Sequence, residues 1–100
     1  MVVFVYITAP DAETARSIGR RLVEEGLSAC VNIFPIDSIY RWKGEVEEAS
    51  EAVLIVKTTK EKVEEVRKRV LELHPYELPC IVWFEVGGHR LFLKVDRGRK

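Results

Sequence analysis

The sequence predicts an α+β domain of the ferredoxin-like type, in which the chain runs β-α-β-β-α-β. Four segments are rich in β-branched and aromatic residues, which is typical of strands. Two further segments carry apolar residues at helical spacing, and each lies between strands where this order requires a helix. We therefore expect an antiparallel sheet in the order 4-1-3-2, with two helices on one face.

The first strand and the first helix have clear boundary signals. Residues 2–8 (VVFVYIT) form a strand that is apolar on both faces. Asp11 follows as a helix N-cap, and the apolar positions of residues 12–25 recur at helical spacing. Gly26 ends this helix, because glycine readily adopts the left-handed conformation found at helix ends.

A long hairpin occupies the middle of the chain. Residues 27–42 form its first arm, and Pro35 predicts a bulge or bend there because proline cannot donate to a sheet ladder. Lys43 and Gly44 form the turn, and residues 45–58 return. Each arm of about 15 residues spans about 50 Å, roughly twice the length of the first strand. The hairpin must therefore extend beyond the rest of the sheet.

The second helix and the last strand follow the hairpin. Thr58 and Glu61 have the spacing of a capping box, which predicts that a helix begins there. Pro75 ends this helix, and residues 78–86 form the fourth strand. The apolar stripe of the helix consists of Val63, Val66, Val70 and Leu73.

The pattern of apolar residues that predicts strands and helices becomes weaker after the fourth strand. Gly87 and Gly88 interrupt it, and residues 91–95 form a short apolar cluster that fits either helical turns or a strand. We expect residues 97–100 to be a frayed tail. A chain of 100 residues has the length of one typical domain, so we expect a single domain over residues 1–100.

Composition and charge argue against several classes of protein. The 16 basic and 16 acidic residues cancel, so the chain lacks the positive charge that favours nucleic acid or an anionic membrane. No run of about 18 apolar residues could span a bilayer. The N-terminal strand lacks the features of a secretion signal, and two cysteines are too few for a disulfide framework. We expect a cytoplasmic protein without membrane or nucleic-acid partners.

The pattern also predicts an oligomer. Two helices cover one face of the sheet, yet the first, third and fourth strands are apolar on both faces. The second face must be buried by another molecule, and another copy of the chain is the simplest partner. The overhanging hairpin in addition leaves an edge with which a neighbouring copy can pair.

Several segments of the chain resemble the CutA divalent-cation tolerance family. The matching segments are residues 27–33 (LSACVNI), 38–47 (SIYRWKGEVE), 51–58 (EAVLIVKT) and 74–79 (HPYELP). They occur in the family's order, and the likeness covers roughly residues 2–86. The last string is the most specific, since no general structural rule requires it.

The resemblance implies a cytosolic homotrimer with interlocking hairpins, linked to tolerance of copper and other divalent cations. It implies no catalytic activity and no required cofactor; copper or another divalent cation is the expected ligand. The chain departs from the family pattern at Cys80, where an acidic residue is often found. It departs again after the fourth strand, where Val95 replaces a tryptophan.

Three residues are candidate metal ligands: Cys30, His74 and Cys80. Thiolate and imidazole suit Cu(I) or Zn²⁺, but no local Cys-x-x-Cys or His-x-x-x-His spacing occurs, so the ligands would have to converge from separate strands or chains. Each residue also has a structural interpretation, the cysteines as small buried hydrophobes and His74 as a helix C-cap. The two cysteines are predicted on opposite edge strands about 14 Å apart, too far for an intramolecular disulfide.

A second group predicts a small polar pocket between subunits: Trp42, Lys57, His74 and Tyr76. Lys57 interrupts an apolar strand end, so its ammonium needs solvent or a partner such as Glu51 or Glu77. Trp42 lies beside the hairpin turn, where packing against a neighbour is the structural alternative. The family resemblance places residues of this kind in a cleft between subunits.

Three other functions are alternatives. The PII signalling proteins, which are also ferredoxin-like trimers, bind small effectors at subunit clefts, but this chain has no glycine-rich phosphate loop. RNA binding of the RRM type needs aromatic residues on the central strands, and residues 51–57 contain none. An enzyme would need Cys30 or Cys80 to meet His74 as nucleophile and base.

Overall fold

The computed structural model describes residues 1–89 and contains all six predicted elements in the predicted order. The bounds are β1 (Val2–Ala9), α1 (Ala12–Glu24), β2 (Cys30–Trp42), β3 (Glu45–Thr59), α2 (Val63–Leu73) and β4 (Ile81–Glu85). The sheet order is β2-β3-β1-β4, with every neighbouring pair antiparallel. The ferredoxin-like prediction is confirmed. The predictions for residues 91–95 and 97–100 fall outside the described residues.

The local signals at α1 and at the hairpin turn are confirmed. The Asp11 carboxylate accepts a hydrogen bond from the Thr14 backbone N–H at 2.7 Å, as an N-cap does. Gly26 has a φ of 75° just after the helix. Lys43 and Gly44 have φ values of 51° and 82°, so the two-residue turn has the positive φ angles that match the twist of a hairpin.

The predicted capping box is wrong. Thr58 belongs to β3, where its buried hydroxyl donates to the Leu27 carbonyl at 2.7 Å instead of to a helix N-terminus. A 3₁₀ turn over Lys60–Lys62 then leads into α2, whose N-cap residue Lys62 makes no capping bond with its side chain. The tertiary contact with Leu27 takes precedence over the local motif, because the buried hydroxyl finds its acceptor there.

Two strand boundaries and the predicted bulge also differ. Strand β2 begins at Cys30, since the chain just before it still bonds to α1 through the N–H of Leu27 and the Leu22 carbonyl. Strand β4 covers only Ile81–Glu85. Pro35 causes no bulge, because the pairing of β2 with β3 runs without a break and Pro35 lies opposite Ala52. An edge strand tolerates proline, since one row of its N–H groups faces away from the sheet.

One face of the sheet packs against both helices and forms the core. Side chains from β1 and β3 alternate onto this face, and α1 approaches β2 closely: a Cβ atom on Gly19 would lie 3.1 Å from Val31. Burying this apolar layer supplies most of the stability of the protomer. The fully buried core includes Val3, Val5, Ile7, Ala9, Ile18, Leu22, Leu54, Val56, Val66 and Val70.

Neither α1 nor α2 packs on the other face of the sheet, and we call it the open face. Antiparallel partners lie on the same face, so the registers define its rows. One row runs Cys30, Lys57, Phe4, Phe84, and the next runs Asn32, Ile55, Tyr6, Val82. Val82 is 52% exposed and Phe84 is 48% exposed, although both are large and apolar. Within residues 1–89, the prediction that the two helices leave apolar side chains on the other face is confirmed.

The hairpin extends beyond the sheet as predicted. Strand β3 pairs with β1 only from Ala52 to Thr59, while residues 45–51 pair with β2 alone. Seven residues at about 3.3 Å each give an overhang of about 23 Å. This projecting arm forms one wall of the candidate site described below.

A salt bridge joins the end of α1 to α2 and gives one pH-dependent prediction. Arg69 donates to the Glu25 carboxylate at 2.8 and 2.9 Å, and this hydrogen bonding lowers the pKa of Glu25 from its ordinary value of 4.5. A lowered folded-state pKa contributes stability above pH 4.5, which is lost as the pH falls through the folded-state value. We expect Glu25→Gln to lower the melting temperature at pH 7, with a deficit that shrinks below about pH 4.5.

The control for this prediction is Glu24→Gln, since the Glu24 contact with Arg20 is long, at 3.9 Å, and both side chains are largely exposed. Thermal melts of both variants at pH 7 and pH 3 check it. An equal deficit for Glu25→Gln at both pH values would show that the charge of the carboxylate is not what stabilises the helix pair.

Candidate functional site

A groove lies between the overhanging hairpin and the loop that follows α2. Its volume is about 840 Å³. The hairpin wall comes from the open-face positions of β2 and β3, and the other wall comes from the residues just after Pro75. The groove is lined by Tyr40, Trp42, Ala49, Glu51, Pro75, Tyr76, Glu77 and Leu78.

A hydrogen bond between Tyr76 and Glu51 joins the two walls. The Tyr76 hydroxyl donates to Glu51 Oε2 at 3.1 Å across 25 residues of sequence. Burial raises the pKa of Tyr76 above its ordinary value, and the hydrogen bond to the Glu51 carboxylate raises it further. The phenol therefore stays protonated at neutral pH, and its proton points toward the Glu51 carboxylate.

His74 holds the loop wall in place from behind. Its Nδ1 accepts the backbone N–H of Tyr76 at 3.0 Å, which requires an unprotonated Nδ1. Its Nε2 lies 2.7 Å from the Thr8 carbonyl and therefore carries the proton that it donates. The ring is buried and lies 4.9 Å from the Tyr76 ring, centroid to centroid. Both ring nitrogens of His74 are thus used to position Tyr76 against β1.

This arrangement predicts a structural cost for losing the imidazole. We expect His74→Ala to destabilise the fold by about 1–3 kcal/mol, because it leaves the Thr8 carbonyl and the Tyr76 N–H without their partners in a partly buried place. Chemical denaturation checks this. His89→Ala is the control, since His89 is exposed and lies beyond β4. Equal stability of the two variants would contradict the positioning role of His74.

The structure brings together two of the four predicted pocket residues on the groove wall, Trp42 and Tyr76, with His74 directly behind. Lys57 lies elsewhere. It is six residues along β3 from Glu51, about 20 Å at about 3.3 Å per residue, and its ammonium lies 5.6 Å from the Phe4 ring centroid. Glu51 is therefore not the partner of Lys57 within one protomer.

The three candidate metal ligands do not converge in one protomer. Cys30 is on edge strand β2, whereas the Cys80 carbonyl accepts the Thr8 N–H at the far side of β1. Cys80 and His74 thus both contact Thr8, but Cys30 is separated from them by two strands. Cys30 and Cys80 are not joined to each other in the described part of the chain. Within residues 1–89, no group of three or more His, Cys, Asp or Glu side chains is placed to hold a metal ion.

Sequence reasoning missed several residues of the groove, among them Tyr40 and Leu78. Tyr40 and Trp42 are two positions apart on one strand, so their rings lie on the same face. This alternation was the available signal for Tyr40. Leu78 is 91% exposed, because the strand that was predicted to begin there begins at Ile81 instead.

Most of the chain matches a protein-family model. Residues 3–94 match the model described as CutA1 divalent ion tolerance protein. The chain belongs to the CutA divalent-ion tolerance family. The groove lies at two of the segments that resemble the family, the hairpin and the HPYELP string.

Individual CutA relatives are similar over most of the chain. The divalent-cation tolerance protein CutA of Archaeoglobus fulgidus is 54% identical over 78 residues, which is 78% of this chain and 76% of the relative. The solved structure of the divalent cation tolerance protein from Thermus thermophilus is 47% identical, covers 100% of both chains and superposes with a TM-score of 0.92. A PII-like protein CutA from Nostoc sp. PCC 7120, solved in apo form, is 39% identical with a TM-score of 0.88, over 96% of this chain and 94% of its own.

Neither of the two helices in the described part of this CutA-family chain has the length and hydropathy needed to cross a membrane. The solved Archaeoglobus structure is described as a periplasmic protein and an Arabidopsis relative as chloroplastic, so the compartment differs among the relatives.

Proposed function

We propose that this protein is a homotrimeric, non-catalytic binding and scaffold protein that acts in divalent-cation tolerance in the cytoplasm. Family membership supports the role in tolerance. The observation that carries the assembly is the open face, where Phe34, Val82 and Phe84 are between 41% and 52% exposed in the protomer. An apolar surface of this kind is typical of an interface between subunits.

The overhanging hairpin supports the same assembly. Its β2 arm pairs only with β3 among the described strands, so the other edge of β2 is available to a neighbouring chain. A three-fold arrangement in which each open face meets its neighbours would bury the apolar rows and engage the projecting arms in one step.

Metal binding at Cys30, His74 and Cys80 remains a prediction. One protomer does not assemble these residues, and both nitrogens of His74 already have hydrogen-bond partners. We propose that copper or another divalent ion is held between protomers, where the thiols of different chains can approach one another. Thiolate donors would favour Cu(I) or Zn²⁺ over hard cations.

Native mass spectrometry with and without Cu²⁺ or Zn²⁺ tests this proposal. We expect a species at three times the chain mass of 11.5 kDa, with a fixed small number of bound ions. Cys30→Ser and Cys80→Ser variants should lose ions while remaining trimeric. A monomer would contradict the assembly, and a trimer that takes up no ions would leave the scaffold role without metal binding.

A PII-like regulator is the second candidate function. The observation in its favour is the groove, because a concave, partly aromatic surface of this size can hold a small effector. The Nostoc relative described as PII-like shares the fold. Retention of radiolabelled nucleotides on a filter would distinguish a nucleotide-binding regulator from a scaffold.

A further inference from the structure

The groove has an unusual combination of aromatic rings and carboxylates. Three aromatic residues line it, Tyr40, Trp42 and Tyr76. The exposed fraction is 60% for Trp42 and 39% for Tyr76, so these rings are accessible in the protomer. The face of an aromatic ring carries negative electrostatic potential and attracts cations.

The charges in the groove have the same sign. Among the described residues that line it, Glu51 and Glu77 are the only charged ones, and none is a lysine, arginine or histidine. Glu51 uses one oxygen to accept from Tyr76, which leaves the other oxygen for a ligand. Glu77 forms no salt bridge with any residue in the described range 1–89.

The chain itself provides an example of a cation at this wall. The ammonium of Lys43 lies 5.8 Å from the Trp42 ring centroid, within the range of a cation–π interaction. This ammonium comes from the hairpin turn and is not one of the groove-lining groups. The Trp42 ring is therefore placed where a positive charge can approach it.

We propose that the groove binds a small quaternary ammonium compound. A weakly hydrated organic cation gains from the rings and the carboxylates together, whereas a phosphate group would be repelled by Glu51 and Glu77. A hydrated metal dication would gain from the carboxylates but little from the three rings. The proposal rests on the effector-binding function proposed for the groove and names the chemistry of its ligand; it does not depend on metal binding.

Choline and its uncharged isostere 3,3-dimethyl-1-butanol test the proposal directly, because the two differ only in a positive nitrogen in place of a carbon. Proton NMR of the ligand methyl groups, with the whole protein in its native assembly, measures binding. We expect choline to show a saturable upfield shift from the aromatic rings and the isostere to bind at least about tenfold more weakly.

Three variants locate the binding site. We expect Trp42→Leu to weaken choline binding by about 2- to 30-fold, the range of a single cation–π contact, and Glu51→Gln to weaken it as well. Glu48→Gln is the matched control, because Glu48 is on the same strand but lies an odd number of positions from Glu51 and therefore on the opposite face. Circular dichroism shows whether each variant is folded.

Several outcomes would overturn the proposal. Equal binding of choline and the isostere would show a merely apolar groove, and binding unaffected by Trp42→Leu would place the ligand elsewhere. No choline binding, together with a change of oligomeric state in Glu51→Gln, would show that a basic side chain of a neighbouring copy fills the groove. None of these outcomes depends on whether mass spectrometry finds a trimer or bound metal. The proposal of ligand binding in the groove and the proposal of a metal-binding trimer can therefore fail independently.

Discussion

Replacing Ile55 with arginine is expected to dissociate the proposed trimer while leaving the protomer folded. Ile55 lies at the centre of the open face, opposite Tyr6 on one side and Asn32 on the other. In a trimer that buries this face, each arginine would be an unpaired buried charge, which costs about 3–5 kcal/mol. The dissociation constant should rise by at least about a hundredfold.

Size-exclusion chromatography with light scattering at several protein concentrations measures this effect. Val23→Arg is the matched control, because Val23 is an exposed apolar residue on α1, on the helix side of the sheet. It should remain trimeric. If Ile55→Arg assembles as tightly as the parent protein, the open face is not the subunit interface, and the apolar rows need another explanation.

Replacing the neighbouring Leu54 with alanine is expected to act on the protomer itself. Leu54 is fully buried on the helix-facing side of β3, beneath α1. Removing a buried leucine side chain loses its transfer free energy and leaves a cavity, so we expect the free energy of unfolding to fall by about 3–5 kcal/mol. Chemical denaturation at one fixed protein concentration is required, because assembly contributes to the measured stability.

Leu71→Ala is the control for this experiment. Leu71 is on α2 and 43% exposed, so the same truncation there should cost less than about 1 kcal/mol. Comparable losses for the two variants would contradict the assignment of Leu54 to the centre of the core. The contrast between Leu54 and Ile55 also tests the register, since a shift by one residue would exchange their faces.

Much of the fold could be predicted because its signals are local or periodic. The Asp11 cap, the Gly26 stop and the Lys43-Gly44 turn depend on a few adjacent residues, and the structure confirms all three. Alternating apolar residues on both faces of β1 and β3 predicted an uncovered apolar face in the same way. These features can be predicted because the residues of a short segment determine its own backbone conformation.

Predictions failed where a contact distant in sequence decided the outcome. The Thr58 hydroxyl bonds to Leu27 instead of capping a helix, and β2 begins late because the chain before it is still bonded to α1. His74 is the C-cap of α2, as one interpretation predicted, and its backbone N–H donates to the Val70 carbonyl, but its ring reaches the Thr8 carbonyl on β1. In each case a buried polar group is paired with a partner that only the packed structure provides.

The sequence by itself determined the order of the elements, the strand order of the sheet, the overhanging hairpin and the family. Only the tertiary structure decided the composition of the groove, since Glu51 and Tyr76 are 25 residues apart and meet across two separate elements. Within one protomer it also places Lys57 about 20 Å along the strand from Glu51. The periodicity of a segment specifies which face of its strand or helix a side chain occupies. The neighbours of that side chain on other elements depend on strand register and packing, and a single segment carries no information about these.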